Sequence, residues 1–184
     1  DENKIFDVLE RMKKLDSISL AGIHVFNATQ VLDYQELAAN TKNILRLAGE
    51  ISLKSGLPLE YIDIGGGLGI PYAEDEQEVD IHALGEEFIK LHEDLCENEY
   101  LAQTQWILEP GRYLSGESGI FLATVLDVKE SRGINFIITD AGINQFIRPA
   151  LIQQNHPTRI ANKLNGVPKK TYRIEGPLCT SLDC

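Results

Sequence analysis

Two short apolar runs in this sequence end in residues whose types can do chemistry. The first, Tyr61-Ile62-Asp63-Ile64, runs straight into Gly65, Gly66, Gly67, Leu68 and Gly69. Glycines directly after a strand let backbone N–H groups converge on an anion, and a helix beginning beyond them would reinforce such a site. A tight packing turn accounts for the same glycines. The second run, Trp106-Ile107-Leu108, ends in Glu109, Pro110, Gly111 and Arg112. Apolar runs of this length, bounded by breakers, fit a buried parallel strand, and α/β proteins place their chemistry at the carboxyl ends of such strands. A structural ion pair at a strand end is an equal reading of Glu109 and Arg112. Together, the two strand ends could cradle one phosphate-bearing cofactor, with Glu109 facing a different part of it.

Other signals are weaker. A dinucleotide fingerprint fails because Ile70 stands where the last glycine is needed, and no Gly-Lys-Ser/Thr follows for a P-loop. His24, His82, His92 and His156 show no metal-ligand spacing and read as structural or exposed. Ser115 and Ser118 flank glycines without forming a Gly-x-Ser-x-Gly elbow. Cys179 closes a strand-like run, which could expose its thiol; a buried cysteine is the commoner outcome. The acidic run within residues 74–80 lacks calcium-loop spacing and reads as a solvated loop.

The elements that must hold these residues follow from periodicity. Ile5, Val8, Leu9 and Met12 share one face of a helix over residues 4–15. Residues 20–26 read as a strand followed by a polar turn. Asp33 with Glu36 resembles a capping box ahead of a helix carrying Leu37, Ile44, Ala48 and Ile51, which stops near Gly56 and Pro58. Ile81, Leu84, Phe88, Leu91 and Leu95 mark a third helix. Three strands thus alternate with helices about every 40 residues, the signature of βα units on a parallel sheet. The class is α/β, and the spacing suits either a (β/α) barrel or a doubly wound sheet. Beyond Arg112 the texture changes: residues 123–130, 135–140 and 171–175 read as strands, with Gly133 in a turn. A boundary falls near residues 115–119, and residues 155–170, with Pro157, Gly166 and Pro168, read as a long loop.

Composition narrows the function. At 184 residues, 43% hydrophobic and 24% charged, the chain can bury a real core. Seventeen basic against 28 acidic side chains give a net charge of −11, which argues against nucleic-acid and anionic-membrane partners. No stretch approaches a membrane span, the start lacks a signal peptide, and three cysteines without metal spacing point to a reduced, cytoplasmic setting.

Five blocks, in order, resemble the fold-type III pyridoxal phosphate decarboxylases, the family of diaminopimelate and ornithine decarboxylases. They are GIHVFNATQ (residues 22–30), YIDIGGGLGI (61–70), ILEPGRYL (107–114), FIITDAGINQFIRPAL (136–151) and EGPLCTSLD (175–183). The resemblance implies the later part of a (β/α)8 TIM-like barrel over residues 1–116, followed by part of a β-sandwich or β-barrel domain over 117–184. It implies a pyridoxal 5′-phosphate cofactor and, for the family, a homodimer with shared active sites. Carried over, Gly65, Gly66 and Gly67 match the loop that binds the cofactor phosphate, and Gly111 and Arg112 its second part. Glu109 matches the carboxylate that keeps the pyridine nitrogen protonated. Phe26 and Thr29 occupy cofactor-facing positions, Arg112, Arg148 and Thr180 substrate-facing ones, and Cys179 the cysteine delivered across the dimer interface near the reacting carbon.

The departures shape the expectation. Phe26 replaces the histidine that stacks on the cofactor ring, and Ala28-Thr29 replaces Gly-Ser. Ile152 stands for a tyrosine, Thr180 for a glutamate or aspartate, and Gln153 for an acid found in ornithine decarboxylases. Without those acids a distal ammonium lacks its partners, so a neutral, acidic or carrier-protein-linked L-amino acid fits better than diaminopimelate or ornithine. The lysine that carries the cofactor in this family has no counterpart here and is expected upstream of Asp1. The resemblance therefore implies a piece of a longer protein, inactive by itself. A non-catalytic homologue acting as a protein-binding regulator and a racemase are the alternatives.

Overall fold

The structure, a computed structural model, describes residues 4–153, 155–167 and 169–183. It divides into two compact units. The larger comprises residues 1–71 and 76–118, and the smaller residues 72–75 and 119–184.

In the larger unit, α1 (Ile5–Met12), β1 (Gly22–His24), α2 (Tyr34–Ser55), β2 (Tyr61–Asp63), α3 (Ile81–Cys96), β3 (Gln105–Ile107) and α4 (Gly111–Ser115) follow one another. The three strands form a parallel sheet in the order β1-β2-β3. Helix α2 exists because Leu37, Ile44, Ala48 and Ile51 line one buried face. The Asp33 side chain accepts the Gln35 N–H at 2.8 Å to start it. Gly56, at φ +70°, closes it with a bond to the Ser52 carbonyl. The reciprocal bond of a capping box, from Glu36 back to Asp33, is not among the described contacts. Helix α3 is started by Asp80, whose carboxylate accepts the Ala83 N–H at 2.9 Å; the last acid of the acidic run is thus a cap. Ile44, Leu59, Ile62, Ile64, Leu95 and Leu101 are buried together where the helices meet the sheet.

Several elements are shorter than the sequence pattern predicts. The expected strand over residues 20–26 has regular strand structure only over Gly22–His24, and the first helix ends at Met12 with only Leu9 buried. Strand β3 is not the buried strand its composition predicts. It is the last strand of the described sheet, so only β2 flanks it, and Ile107 remains 41% exposed.

The smaller unit holds β4 (Val125–Ser131), β5 (Ile134–Thr139), α5 (Arg148–Ile152), a 3-10 turn (Ala161–Lys163) and β6 (Arg173–Glu175). Strands β4 and β5 form an antiparallel hairpin, and β6 adds to β5 in parallel. Arg132 and Gly133 both take positive φ in the two-residue connection, as a turn matching strand twist requires. The 3-10 turn falls within the long loop expected over residues 155–170, and α5 lies just ahead of it. Pro168, a marker of that loop, lies outside the described residues.

Candidate functional site

The register of the sheet decides which side chains meet. Ile23, Ile62 and Trp106 are cross-strand partners, and so, one residue on, are His24, Asp63 and Ile107. Side chains alternate between faces, and the Ile23-Ile62-Trp106 row packs on the core, so the next row points away from it. The ladder continues past the strands: Val25 N–H donates to Asp63 O at 3.1 Å, Ile64 N–H to Ile107 O at 3.0 Å and Glu109 N–H to Gly65 O at 2.8 Å. Glu109, two residues beyond Ile107, joins the His24 row. His24 Nε2 lies 3.4 Å from Glu109 Oε2, with both side chains about half exposed. One ligand-type atom from each of His24, Asp63 and Glu109 lies within 4.8 Å of the others.

The glycine turn packs against the same place. Gly65 has φ +68° and Gly67 φ +93°, conformations in which any other residue is strained. A Cβ on Gly66 would run into the backbone carbonyl of Glu109, and one on Gly67 would press on Ala28 at 3.1 Å. Close packing of the two strand ends therefore demands these glycines whatever they bind. The Gly65 N–H is taken by Asp63 Oδ1 at 2.9 Å. Among the described residues the N–H groups of Gly66 and Gly67 have no protein acceptor.

Gln30 draws in the third corner. Its Oε1 accepts from Arg112 Nη1 at 2.8 Å and from the Ile70 N–H at 3.4 Å, while its Nε2 donates to the Ile70 carbonyl at 2.5 Å. Arg112 is thus paired with Gln30 and not with Glu109, so a structural Glu109–Arg112 ion pair is not what holds this strand end. A guanidinium has five donors, and one bond leaves capacity for an anion. Gly111 has nothing within 4 Å of where a Cβ would sit.

The structure therefore gathers Gly65, Gly66, Gly67, Glu109, Gly111 and Arg112, with Phe26 and Thr29 on the loop that follows β1. Phe26 is 71% exposed. Arg148, Cys179 and Thr180 belong to the smaller unit. Arg148 opens α5, and its Nε is buried without a partner among the described residues; Cys179 is an exposed free thiol. Sequence reasoning missed His24, Asp63 and Gln30 as members of the site. Aligning the strand ends by register would have found the first two, because His24 and Asp63 occupy the same row.

The comparisons with known proteins bear on this arrangement. The family model described as pyridoxal-dependent decarboxylase, pyridoxal binding domain, matches residues 1–116. The chain belongs to this family. It is 34% identical over 174 residues to the diaminopimelate decarboxylase of Thermoplasma acidophilum, covering 94% of the chain and 40% of that protein. It is 30% identical over 191 residues to the L-glutamyl-(BtrI acyl-carrier protein) decarboxylase of Niallia circulans, covering 100% of the chain and 44% of the relative. Among solved structures, diaminopimelate decarboxylase from Helicobacter pylori complexed with L-lysine superposes with a TM-score of 0.79 at 26% identity, over 99% of this chain and 43% of that one. The chain spans about two fifths of the length of the relatives it matches. The α/β architecture with its parallel sheet is that of the family's barrel-related fold.

Pyridoxal phosphate is the cofactor of this family, and the residues gathered here fit it. Two unclaimed N–H groups, a glycine with open space above it and a guanidinium with spare donors suit a phosphate. The exposed Glu109 carboxylate, grouped with His24 and Asp63 at the neighbouring strand ends, suits a ring nitrogen that must stay protonated. Among the described residues no helix is long and apolar enough to cross a membrane.

Proposed function

We propose that the protein carrying this chain is a pyridoxal phosphate-dependent decarboxylase of an L-amino acid. The observation that carries the reading is the junction of β2 and β3, where the glycine turn, with the Gly66 and Gly67 N–H groups free of protein acceptors among the described residues, packs against the backbone of Glu109. The bound cofactor would supply a sink for the electron pair left on the substrate carbon as carbon dioxide departs.

The chain's own residues have the remaining work. Gly66 and Gly67 donate N–H bonds to the phosphate, and Gly111 lets the backbone approach it while Arg112 adds charge. Glu109 holds a proton on the ring nitrogen. Phe26 offers an aromatic face in place of an imidazole, and the Thr29 hydroxyl a hydrogen bond. Arg148 suits a substrate carboxylate, and Cys179 returns a proton to the reacting carbon. Residues 1–116 are read as the later part of the cofactor-binding barrel and 117–184 as part of a β-domain, in a dimer with shared active sites.

Thr180, Gln153 and Ile152 leave no acid or phenol at their positions for a distal ammonium. This supports a neutral, acidic or carrier-protein-linked amino acid as substrate, and the carrier-protein relative supports it too. The test is to purify the full-length protein, record pyridoxal absorbance and measure carbon dioxide release from free and carrier-linked amino acids. Uptake of cofactor with release from a substrate lacking a distal ammonium is expected. No cofactor uptake overturns the reading, as does racemisation without carbon dioxide.

A further inference from the structure

In the smaller unit one carboxylate ties together separate stretches of chain. Asp183 is 2% exposed. Its Oδ1 accepts the Ile143 N–H at 2.6 Å and its Oδ2 accepts the Leu178 N–H at 2.6 Å. Its backbone carbonyl accepts the Gly176 N–H at 2.8 Å. The carboxylate also occupies the space above two glycines, for a Cβ on either Gly142 or Gly176 would collide with it. Burying a charged group is costly unless its acceptors are filled, and these bonds fill one on each oxygen.

The loop so closed runs from Gly176 to Asp183 and carries Cys179. Within it Thr180 N–H donates to Leu178 O at 2.9 Å, and Asp183 N–H donates to Thr180 O at 3.3 Å. Cys179 therefore lies between two pinned neighbours, Leu178 held by the carboxylate and Thr180 held by the backbone. The Ile143 bond fastens this loop to the stretch leading into α5, where Phe146 N–H returns to Gly142 O at 3.0 Å just ahead of Arg148.

We propose that Asp183 is the positioning residue for Cys179, fixing the 176–183 loop so that the thiol is presented in one place. This rests on the reading of Cys179 as the proton-returning group. The variant that probes it is Asp183→Asn, which keeps the shape but turns one acceptor into a donor facing an N–H.

Hydrogen exchange on the unaltered full-length protein is the first measurement. The Leu178 and Ile143 amides, both outside strands, should exchange as slowly as those of Ile137 and Ile138 in β5; fast exchange there overturns the proposal without any variant. In Asp183→Asn the Leu178 amide should exchange about tenfold faster or more, the scale of losing a bond to a charged group. Turnover should fall by a similar factor with bound pyridoxal absorbance unchanged. In a Cys179→Ala background the same substitution should cost no further turnover, because the residue acts through the thiol. Additive losses overturn the proposal, since they mark a merely structural role. If the full-length protein binds no cofactor, the decarboxylase reading fails, while amide exchange and the alkylation rate of Cys179 still judge the positioning.

Discussion

In the larger unit Ile62, Leu84 and Leu101 are almost wholly removed from water, whereas in the smaller unit the buried described residues are Thr139 and Asp183. Every residue of β4 is exposed, Val125, Leu126 and Val128 included. The larger unit is therefore organised by apolar burial, at roughly 25 cal/mol per Å² removed from water. The smaller is organised by ladders, a tight hairpin turn and the Asp183 knot. Hydrogen bonds of that kind specify geometry sharply but contribute only about 1 kcal/mol each in net stability, rising to about 1.5–3 kcal/mol where one partner is charged. The contrast separates two ways of holding side chains in place. The unit that would hold the cofactor is built on a rigid core, and the unit carrying Cys179 and Arg148 fixes its loops by polar contacts.

Core truncation in the larger unit gives the largest expected effect. Leu101→Ala removes a side chain that is 1% exposed and should cost about 2–5 kcal/mol in denaturant unfolding. A loss below 1 kcal/mol would erase the distinction between the units. Gly66→Ala comes next, at about 1–3 kcal/mol, because the new methyl must displace the Glu109 carbonyl from its place. The same variant should lose pyridoxal absorbance in the full-length protein. A stable variant that keeps its cofactor would show that the two strand ends are not in register.

How much of this was legible in the sequence depends on where each residue's partners lie. Helices α2 and α3 could be read because their apolar spacing lies within one segment, as do their caps, although Asp80 was passed over as part of an acidic run. The glycine turn and Glu109 could be read because strand ends announce themselves by breakers. His24 could not, since what makes it part of the site is its register with Asp63, set by hydrogen bonds between strands. Gln30 was equally hidden, because its partners lie 40 and 82 residues away. Asp183 meets Ile143 across 40 residues, and nothing local marks a carboxylate that will be buried. The strands came out short because composition reports what can extend, while pairing decides what does.

Truncation in the smaller unit should be nearly silent. Leu126→Ala, on a side chain 61% exposed, should change the stability of this chain by no more than about 0.5 kcal/mol. A cost approaching that of Leu101→Ala would mean that β4 is covered by a partner surface, and the comparison would then describe an incomplete unit.

The smallest expected effect concerns acid. Asp140 follows β5, and its carboxylate accepts the Thr124 N–H at 2.8 Å while its own N–H donates to the Thr124 carbonyl at 3.1 Å, pinning the open end of the β4–β5 hairpin. The Thr124 backbone bond, aided by the Thr124 side chain, holds the carboxyl below the ordinary aspartate range. A group whose folded pKa is depressed stabilises the fold above its unfolded value and loses that contribution as pH falls through the folded one. The Asp140 contribution is therefore whole at neutral pH and fades below about pH 4. Asp140→Asn should lower the hairpin's unfolding midpoint slightly at pH 7, with the gap to the parent closing in acid. The bonds that hold the larger unit's core are apolar and carry no such proton dependence, so Leu101→Ala should cost the same at both ends of that range while the Asp140→Asn gap narrows. Equal narrowing for both variants would mean that acid acts on the whole chain, and the division between a burial-held unit and a polar-held one would lose its physical basis.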